Sequence, residues 1–280
     1  MQTYIDCYPC FLRQAIEATR MVGATPEQKS VILQRTLELL KEMPEGVTPP
    51  EIGARVHQII REVTGDDDPY QGVKREATAR ALALLPQLKQ IMDNAEDKLS
   101  AALRLSIAGN IMDFGPNPEY DLWEVVMRVL DQPLAIDATD SLKLELLKAD
   151  SVLFIADNAG ETVFDRLLIE TLAKPVTYVV RGGPVINDAT VADAIEAGID
   201  QVAEIIDTGV RIPGIVLSQS SPTFQNRFKT APLILAKGMG NYETLSDVSA
   251  PIYFLLQVKC SIIARDVNAK LGDVIISRNF

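Results

Sequence analysis

Residues 151–161 read SVLFIADNAGE, and this stretch decides the fold. SVLFIAD is a continuous apolar run rather than an alternating one. Such a run suits a strand covered on both faces, as in a parallel sheet. The segment that follows, GETVFDRLLIETL, reads as a helix. Strand, polar turn and helix in succession are the unit of an open α/β sheet with right-handed crossovers.

The same alternation continues toward the C-terminus. KPVTYVVRG (174–182) reads as a strand and DATVADAIEAG (188–198) as a helix ending at Gly198. QVAEIID (201–207) and APLILAKG (231–238) read as strands, PIYFLLQVKC (251–260) as a third, and DVIISRN (273–279) closes the chain. Toward the N-terminus the pattern is helical to about residue 100. Apolar residues recur at helical spacing in FLRQAIEATRMV and SVILQRTLELLKEM. Thr25-Pro26-Glu27-Gln28 resembles a helix start, with Thr25 as the cap. Pro49-Pro50 breaks the chain before EIGARVHQIIREVTG, with Gly65 as the C-cap. Asp66-Asp67-Asp68-Pro69 is a turn. Helices are expected from Tyr70 to Leu84 and from Pro86 to Ala108. Residues 1–130 are thus read as a helical subdomain capping an α/β domain over residues 131–280. No internal repeat or low-complexity segment interrupts this.

Composition narrows the functional classes. The 280 residues are 47% hydrophobic and 23% charged, ordinary for a globular chain with a sizeable core. No apolar run reaches the roughly 18 residues of a spanning helix, so no membrane partner is expected. MQTYIDCYPCFLRQ lacks a basic segment followed by an apolar one, so a cytoplasmic location is expected. A net charge of −11 without a Lys/Arg-rich run argues against nucleic acid. A small phosphate ester still fits, where a metal and local donors cancel the charge. The sequence does not address oligomeric state. His57 is the one histidine, without a nucleophile elbow near it, and reads as a core or surface residue. Chemistry therefore rests on carboxylates, amides, lysine or a metal.

Ligands bind beyond the carboxyl ends of strands in open parallel sheets, and three polar clusters fall there. The first is Asp157-Asn158-Ala159-Gly160-Glu161. A carboxylate beside an amide offers hard oxygen ligands for a divalent cation, and the helix start offers backbone N–H groups to an anion. The same residues fit a plain capped turn. The second is Arg181-Gly182-Gly183-Pro184 with Asn187-Asp188. Asp188 is either a second carboxylate for the same metal or a helix cap. The third is Lys237-Gly238-Met239-Gly240-Asn241-Tyr242-Glu243, which resembles a phosphate cradle but not a Walker loop, because the lysine precedes the glycines. Ser106-Ile107-Ala108-Gly109-Asn110 with Asp113 ends a helix or places Asn110 over the sheet edge. Asp207 and Gly209 form a further strand-end loop. Asp68-Pro69-Tyr70 with Lys74 fits a helix start. Cys7-x-x-Cys10 is half a zinc site or a redox pair, with Cys260 as a third ligand if the N-terminus packs near it. An odd count of three cysteines argues against a secreted disulfide scaffold.

Taken together the chain resembles the damage-control phosphatases, the domain of unknown function 89 family. The resemblance rests on Cys7-Tyr-Pro-Cys10 with Arg13-Gln14, Asp68-Pro69-Tyr70 with Lys74, Ala108-Gly109-Asn110 with Asp113, and Asp157 to Glu161 with Phe164-Asp165. It continues through Asn187-Asp188, Pro213-Gly214, Lys237 to Glu243 and Val258-Lys259-Cys260. The CxxC resembles the prokaryotic, chiefly archaeal, branch. The resemblance implies a helical N-terminal part on a three-layer α/β/α domain with a mostly parallel sheet. It implies hydrolysis of phosphate monoesters, with one divalent cation (Mn, Ni, Co or Mg) on Asp157, Asn158 and Asp188. Lys237 and Asn110 correspond to substrate- or phosphate-facing positions; Lys237 is also expected to be catalytic, and Gly109 and Asn241 are expected to bind substrate with them. Asp157 is then a nucleophile or positions a water, with Glu161 as a second acid. Two rivals stand beside this reading, and a third possibility is that the CxxC makes the protein a redox-responsive phosphatase. An S-adenosylmethionine-dependent carboxyl methyltransferase would need a Gly-rich loop after its first strand, and DNAGE has one glycine. A non-catalytic metal- or nucleotide-binding module would use the same strand-end acids for a regulatory ligand.

Overall fold

The computed structural model describes residues 1–111 and 122–279. Asp113 lies outside the described residues. The first half is helical: α1 Tyr8–Met21, α2 Pro26–Lys41, α3 Pro49–Thr64, α4 Gln71–Asn94, α5 Lys98–Ile111 and α6 Leu122–Asp131. Strands and helices then alternate as β1 Leu134–Asp137, α7 Thr139–Lys148, β2 Val152–Ile155, α8 Thr162–Leu172, β3 Val176–Val180 and α9 Val191–Glu196. They continue as β4 Glu204–Asp207, α10 Pro222–Thr230, β5 Ile234–Lys237, α11 Gly238–Leu245, β6 Ile252–Gln257, α12 Ser261–Asp266 and β7 Val274–Arg278.

The helix signals act as read. Thr25 and Gln28 exchange reciprocal cap bonds at the start of α2, and Gly65 closes α3 at φ 74°. Pro49 and Pro50 form the first turn of α3 rather than preceding it, because a missing N–H costs nothing there. One boundary differs. Pro86 does not end a helix but sits inside α4. Proline forfeits the bond to the Leu82 carbonyl, yet Ala77, Ala81, Leu88 and Met92 on either side of it are all buried, and that packing carries the helix through. The break comes at extended Ala95, after which Asp97 accepts from the Ser100 N–H and caps α5. Strand β1 has only four residues of alternating burial and carries too little pattern to single out in the sequence.

The strands form one sheet in the order β1-β7-β6-β5-β2-β3-β4. Every pairing is parallel except β6 with β7. Side chains alternate between two buried faces, which explains the continuous apolar runs. Val152, Phe154 and Tyr178 join α4 to α8 in one core, whereas Leu153, Ile155 and Val179 join α10 to α12 in the other. The architecture is the three-layer α/β/α arrangement with N-terminal helices. Helices α1 to α3 enclose a separate core around Phe11, Ile32, Ile52 and Ile60. Among the described residues no helix is long and apolar enough to cross a membrane.

Two buried connections tie the N-terminal helices to the sheet side. Lys74 on α4, 3% exposed, meets Asp68 at 2.7 Å and Asp193 on α9 at 3.2 Å. The Asp68-Pro69-Tyr70 motif thus anchors a helix start. Gly109 lets α5 approach α8, since a Cβ there would sit 3.2 Å from the Phe164 ring.

Candidate active site

From β2 the chain moves to β3 and β4 on one side, whereas β5 and β6 lie on the other. The direction of winding therefore reverses between β2 and β5. A crevice forms at such a reversal beyond the strand carboxyl ends, where open α/β sheets hold ligands. Asp157 and Asn158 follow β2, Arg181 follows β3, Lys237 ends β5 and Lys259 follows β6.

A short backbone stitch brings Asp188 to this crevice. Asn158 and Asp188 form an antiparallel bridge. The Ala159 N–H donates to the Asn187 carbonyl at 2.9 Å, and the Ala189 N–H to the Asp157 carbonyl at 2.8 Å. The carboxylates of Asp157 and Asp188 and the amide of Asn158, distant along the chain, thereby share one place. Gly238 starts α11 at φ 77°, directly under Asp157; any side chain there would collide with the Asp157 carboxylate.

These groups lie in a cavity of about 300 Å³. Asn110, Asp157, Asn158, Asp188 and Lys259 line it, and so do Cys7, Cys10 and Cys260. Four other residues singled out in the sequence do not line it. Lys237 lies beneath rather than facing the cavity. It is fully buried and donates to the Ser106 carbonyl at 2.9 Å, Glu161 at 2.8 Å and Asp165 at 2.8 Å. An ammonium has three N–H groups, so none remains for a substrate. Glu161 is equally buried and faces Lys237. Asn241 spends its amide on the carbonyls of Ala156 and Lys237 and accepts from Arg181. Gly109 packs between helices.

The buried residues form a chain of hydrogen bonds behind the crevice. Glu161 Oε1 accepts from the side-chain amides of Asn158 at 2.6 Å and Asn110 at 2.7 Å. Its other oxygen holds Lys237. Asp165 accepts from Lys237, Ser106 and Tyr178. Burial pulls the Lys237 ammonium down, but Asp165 and Glu161 together outweigh burial and hold it above its ordinary value. Burial pushes the Asp165 carboxyl up against the pull of Lys237.

The crevice gathers acidic side chains close together, with Arg181 and Lys259 beside them. Burial, then Glu161 and Asp188, push the Asp157 carboxyl well above its ordinary range, despite Arg181 and Lys259 nearby. Burial likewise raises Asp188, against Arg181. Arg181, 1% exposed, donates its Nε to Asp188 Oδ2 at 2.6 Å and stands 3.9 Å from Asp157 Oδ1. Asp157 Oδ2 accepts from Asn110 at 2.8 Å and Asn158 at 3.3 Å. Among the described residues no donor reaches Asp157 Oδ1 or Asp188 Oδ1 within hydrogen-bonding distance. Asn158 commits its nitrogen to Glu161 and leaves its oxygen as the group able to ligate. Hard oxygens in an electronegative crevice fit a divalent cation. Among the described residues there is no group of three or more His, Cys, Asp or Glu arranged for a metal. The donor set here is two acids and an amide, because Glu161 turns toward Lys237.

Residues 3–275 match the damage-control phosphatase ARMT1-like domain. The chain belongs to this family. It is 35% identical to a damage-control phosphatase of Pyrococcus horikoshii over all of this chain and 99% of that protein. It is 34% identical to a damage-control phosphatase of Archaeoglobus fulgidus over 96% of each. The crystal structure of a DUF89 family protein from Pyrococcus horikoshii superposes with a TM-score of 0.91 at 33% identity, covering 100% of both chains.

Sequence reasoning assigned no role to Lys259, Arg181 or Asp165. The strand-end rule places the first two, since each follows a strand directed at the crevice. Glu161 and Asp165 stand four apart at a helix start, a spacing that sets them on one face toward a common partner.

Proposed function

We propose that the chain is a metal-dependent phosphomonoester hydrolase acting on small phosphorylated metabolites. One divalent cation, Mn, Ni, Co or Mg, is held by Asp157, Asn158 and Asp188. The observation that carries this reading is the bridge setting Asp188 against Asn158 at the winding reversal of the sheet. The names of the archaeal relatives support the phosphatase class.

A cation bound there supplies Lewis-acid stabilisation of charge on the phosphoryl oxygens. This chain's own residues do the rest. Lys259, whose Nζ donates to the Asn110 carbonyl at 2.7 Å, lines the cavity and brings a positive charge to the phosphate. Asn110 and Asn158 hold Asp157 through Oδ2, leaving Oδ1 to attack phosphorus or to order the attacking water. Lys237 and Glu161 are positioning residues: they fix the Asn158 and Asn110 amides and touch no substrate.

Asp157→Ala and Asp188→Ala, assayed with a chromogenic phosphate ester plus Mn²⁺, Co²⁺, Ni²⁺ or Mg²⁺, test the reading. Losing an electrostatic stabiliser of this kind costs about 10²–10³ in rate. Full activity in either variant removes the assignment.

A further inference from the structure

All three cysteines of the chain line the catalytic cavity, two from the N-terminus and one from near the C-terminus. Cys7 is buried, Cys10 exposed and Cys260 intermediate, and all are free thiols. Burial pushes the Cys7 thiol up, with Glu243, Cys260 and Cys10 close enough to add to the effect. The proposed hydrolysis uses none of these thiols. Among the described residues they do not form a metal-holding group with neighbouring acids. Their chemistry is therefore sought in the thiols themselves.

Cys7 and Cys10 stand three residues apart across the first turn of α1, with Cys7 and Tyr8 both in the right-handed helical region. Helix geometry separates such Cα atoms by about 5 Å, inside the range of about 4.4–6.8 Å that a disulfide spans. Their Cβ atoms start about 5–6 Å apart and a disulfide draws them to about 3.5–4.5 Å. Closure therefore tightens the first turn of α1 by about 1–2 Å. Asp6, Phe11 and Gln14 on the same segment also line the cavity, so the movement reaches the cavity wall.

We propose that Cys7 and Cys10 form a reversible disulfide that reshapes the catalytic cavity and lowers turnover. Hydrogen peroxide serves as the oxidant. The exposed Cys10 thiolate attacks one peroxide oxygen, the O–O bond breaks, and hydroxide leaves and takes up a proton to become water. The Cys10 sulfenic acid is then attacked by the Cys7 thiol; the S–S bond forms and the hydroxyl departs as a second water. Two thiols lose two electrons and two protons, and one peroxide becomes two waters. A dithiol reductant reverses the bond by exchange.

The inference rests on the phosphatase reading for its rate measurement alone. The full chain is treated with hydrogen peroxide and then with dithiothreitol. Intact mass, peptide mapping, free thiols and hydrolysis of a chromogenic ester are followed, and each variant is compared with itself, reduced against oxidised. The expected result is a loss of two thiols, a Cys7–Cys10 linkage, and a fall in kcat/KM of at least fivefold that dithiothreitol restores. Cys7→Ser and Cys10→Ser each lose the linkage and the reversible fall; Cys260→Ser keeps both. No linkage, a linkage through Cys260, or a linkage with unchanged kcat/KM overturns the proposal. If no ester is hydrolysed in either state, the phosphatase reading fails separately. Mn²⁺ affinity then replaces the rate, and equal affinity in both states overturns the switch.

Discussion

Glu161 accepts the side-chain amide of Asn158 at 2.6 Å and holds Lys237 through its other oxygen at 2.8 Å. One buried carboxylate thus connects a proposed cation ligand to the cation beneath the sheet edge. The bond also decides which way Asn158 points, since an amide that gives its nitrogen inward turns its oxygen away.

Glu161→Gln tests that connection. Both Glu161 oxygens accept, one from two asparagine amides and one from Lys237. A glutamine has one acceptor, so whichever way it turns, its NH₂ meets another donor. The Asn158 amide then loses its fixed orientation. Loss of such an outer contact costs about 10–100-fold in metal affinity, and calorimetry with Mn²⁺ is expected to show it. Unchanged affinity would separate Glu161 from the site.

Lys237→Met distinguishes a positioning lysine from a phosphate-binding one. Lys237, Glu161 and Asp165 are each fully buried. Removing the ammonium leaves two buried carboxylates without their counterion, and breaking such a pair costs about 3–5 kcal/mol. Denaturant midpoints are expected to fall accordingly. A raised KM with unchanged stability would return Lys237 to the substrate.

Lys259→Met is expected to do the reverse. Lys259 lines the cavity and bonds a helix-end carbonyl, outside the buried network. A charge-assisted bond to a phosphate contributes about 1.5–3 kcal/mol, which is about 10–100-fold in kcat/KM. The melting temperature is expected to fall less than in Lys237→Met, because Lys259 is only half-buried whereas Lys237 is fully buried.

The contrast between these lysines shows where sequence reading stops. Apolar runs mark the strands because both faces of the sheet are covered, and strand ends mark the crevice because parallel strands share one direction. Asp157, Asn158 and Asp188 are legible on that ground. Lys237 also ends a strand, yet its side chain runs under the floor toward Glu161 and Asp165 at the start of α8. Which way a strand-end side chain turns depends on what a neighbouring strand's helix sets against it, here Glu161 and Asp165 four residues apart. Pro86 fails as a boundary for a similar reason: packing of α4 on both sides of the proline outweighs one lost hydrogen bond. The meeting of Cys7 and Cys10 with Cys260 depends on how the two ends of the chain close on one cavity, and local pattern does not contain that.

His57 carries a pH dependence of stability. It is 2% exposed, its ring meets Tyr70 edge-on at 5.6 Å, and its Nε2 has no hydrogen-bond partner among the described residues. Burial, with Arg61 nearby, pushes its pKa down to about 3. Above an ordinary histidine pKa of about 6.5 the folded and unfolded chains are both neutral here, and the residue contributes no pH dependence. As pH falls below that value the unfolded chain takes up a proton that the folded chain refuses. Stability is then lost by up to about 1.4 kcal/mol per pH unit, a loss that continues until the folded pKa is reached. Between pH 6.5 and 5 this comes to about 2 kcal/mol. His57→Leu removes the titrating group, so urea unfolding at pH 7 and pH 5 is expected to show a smaller acid loss in the variant by about that amount. Equal acid losses in the two chains would mean that His57 charges inside the folded protein, with a partner for its imidazolium.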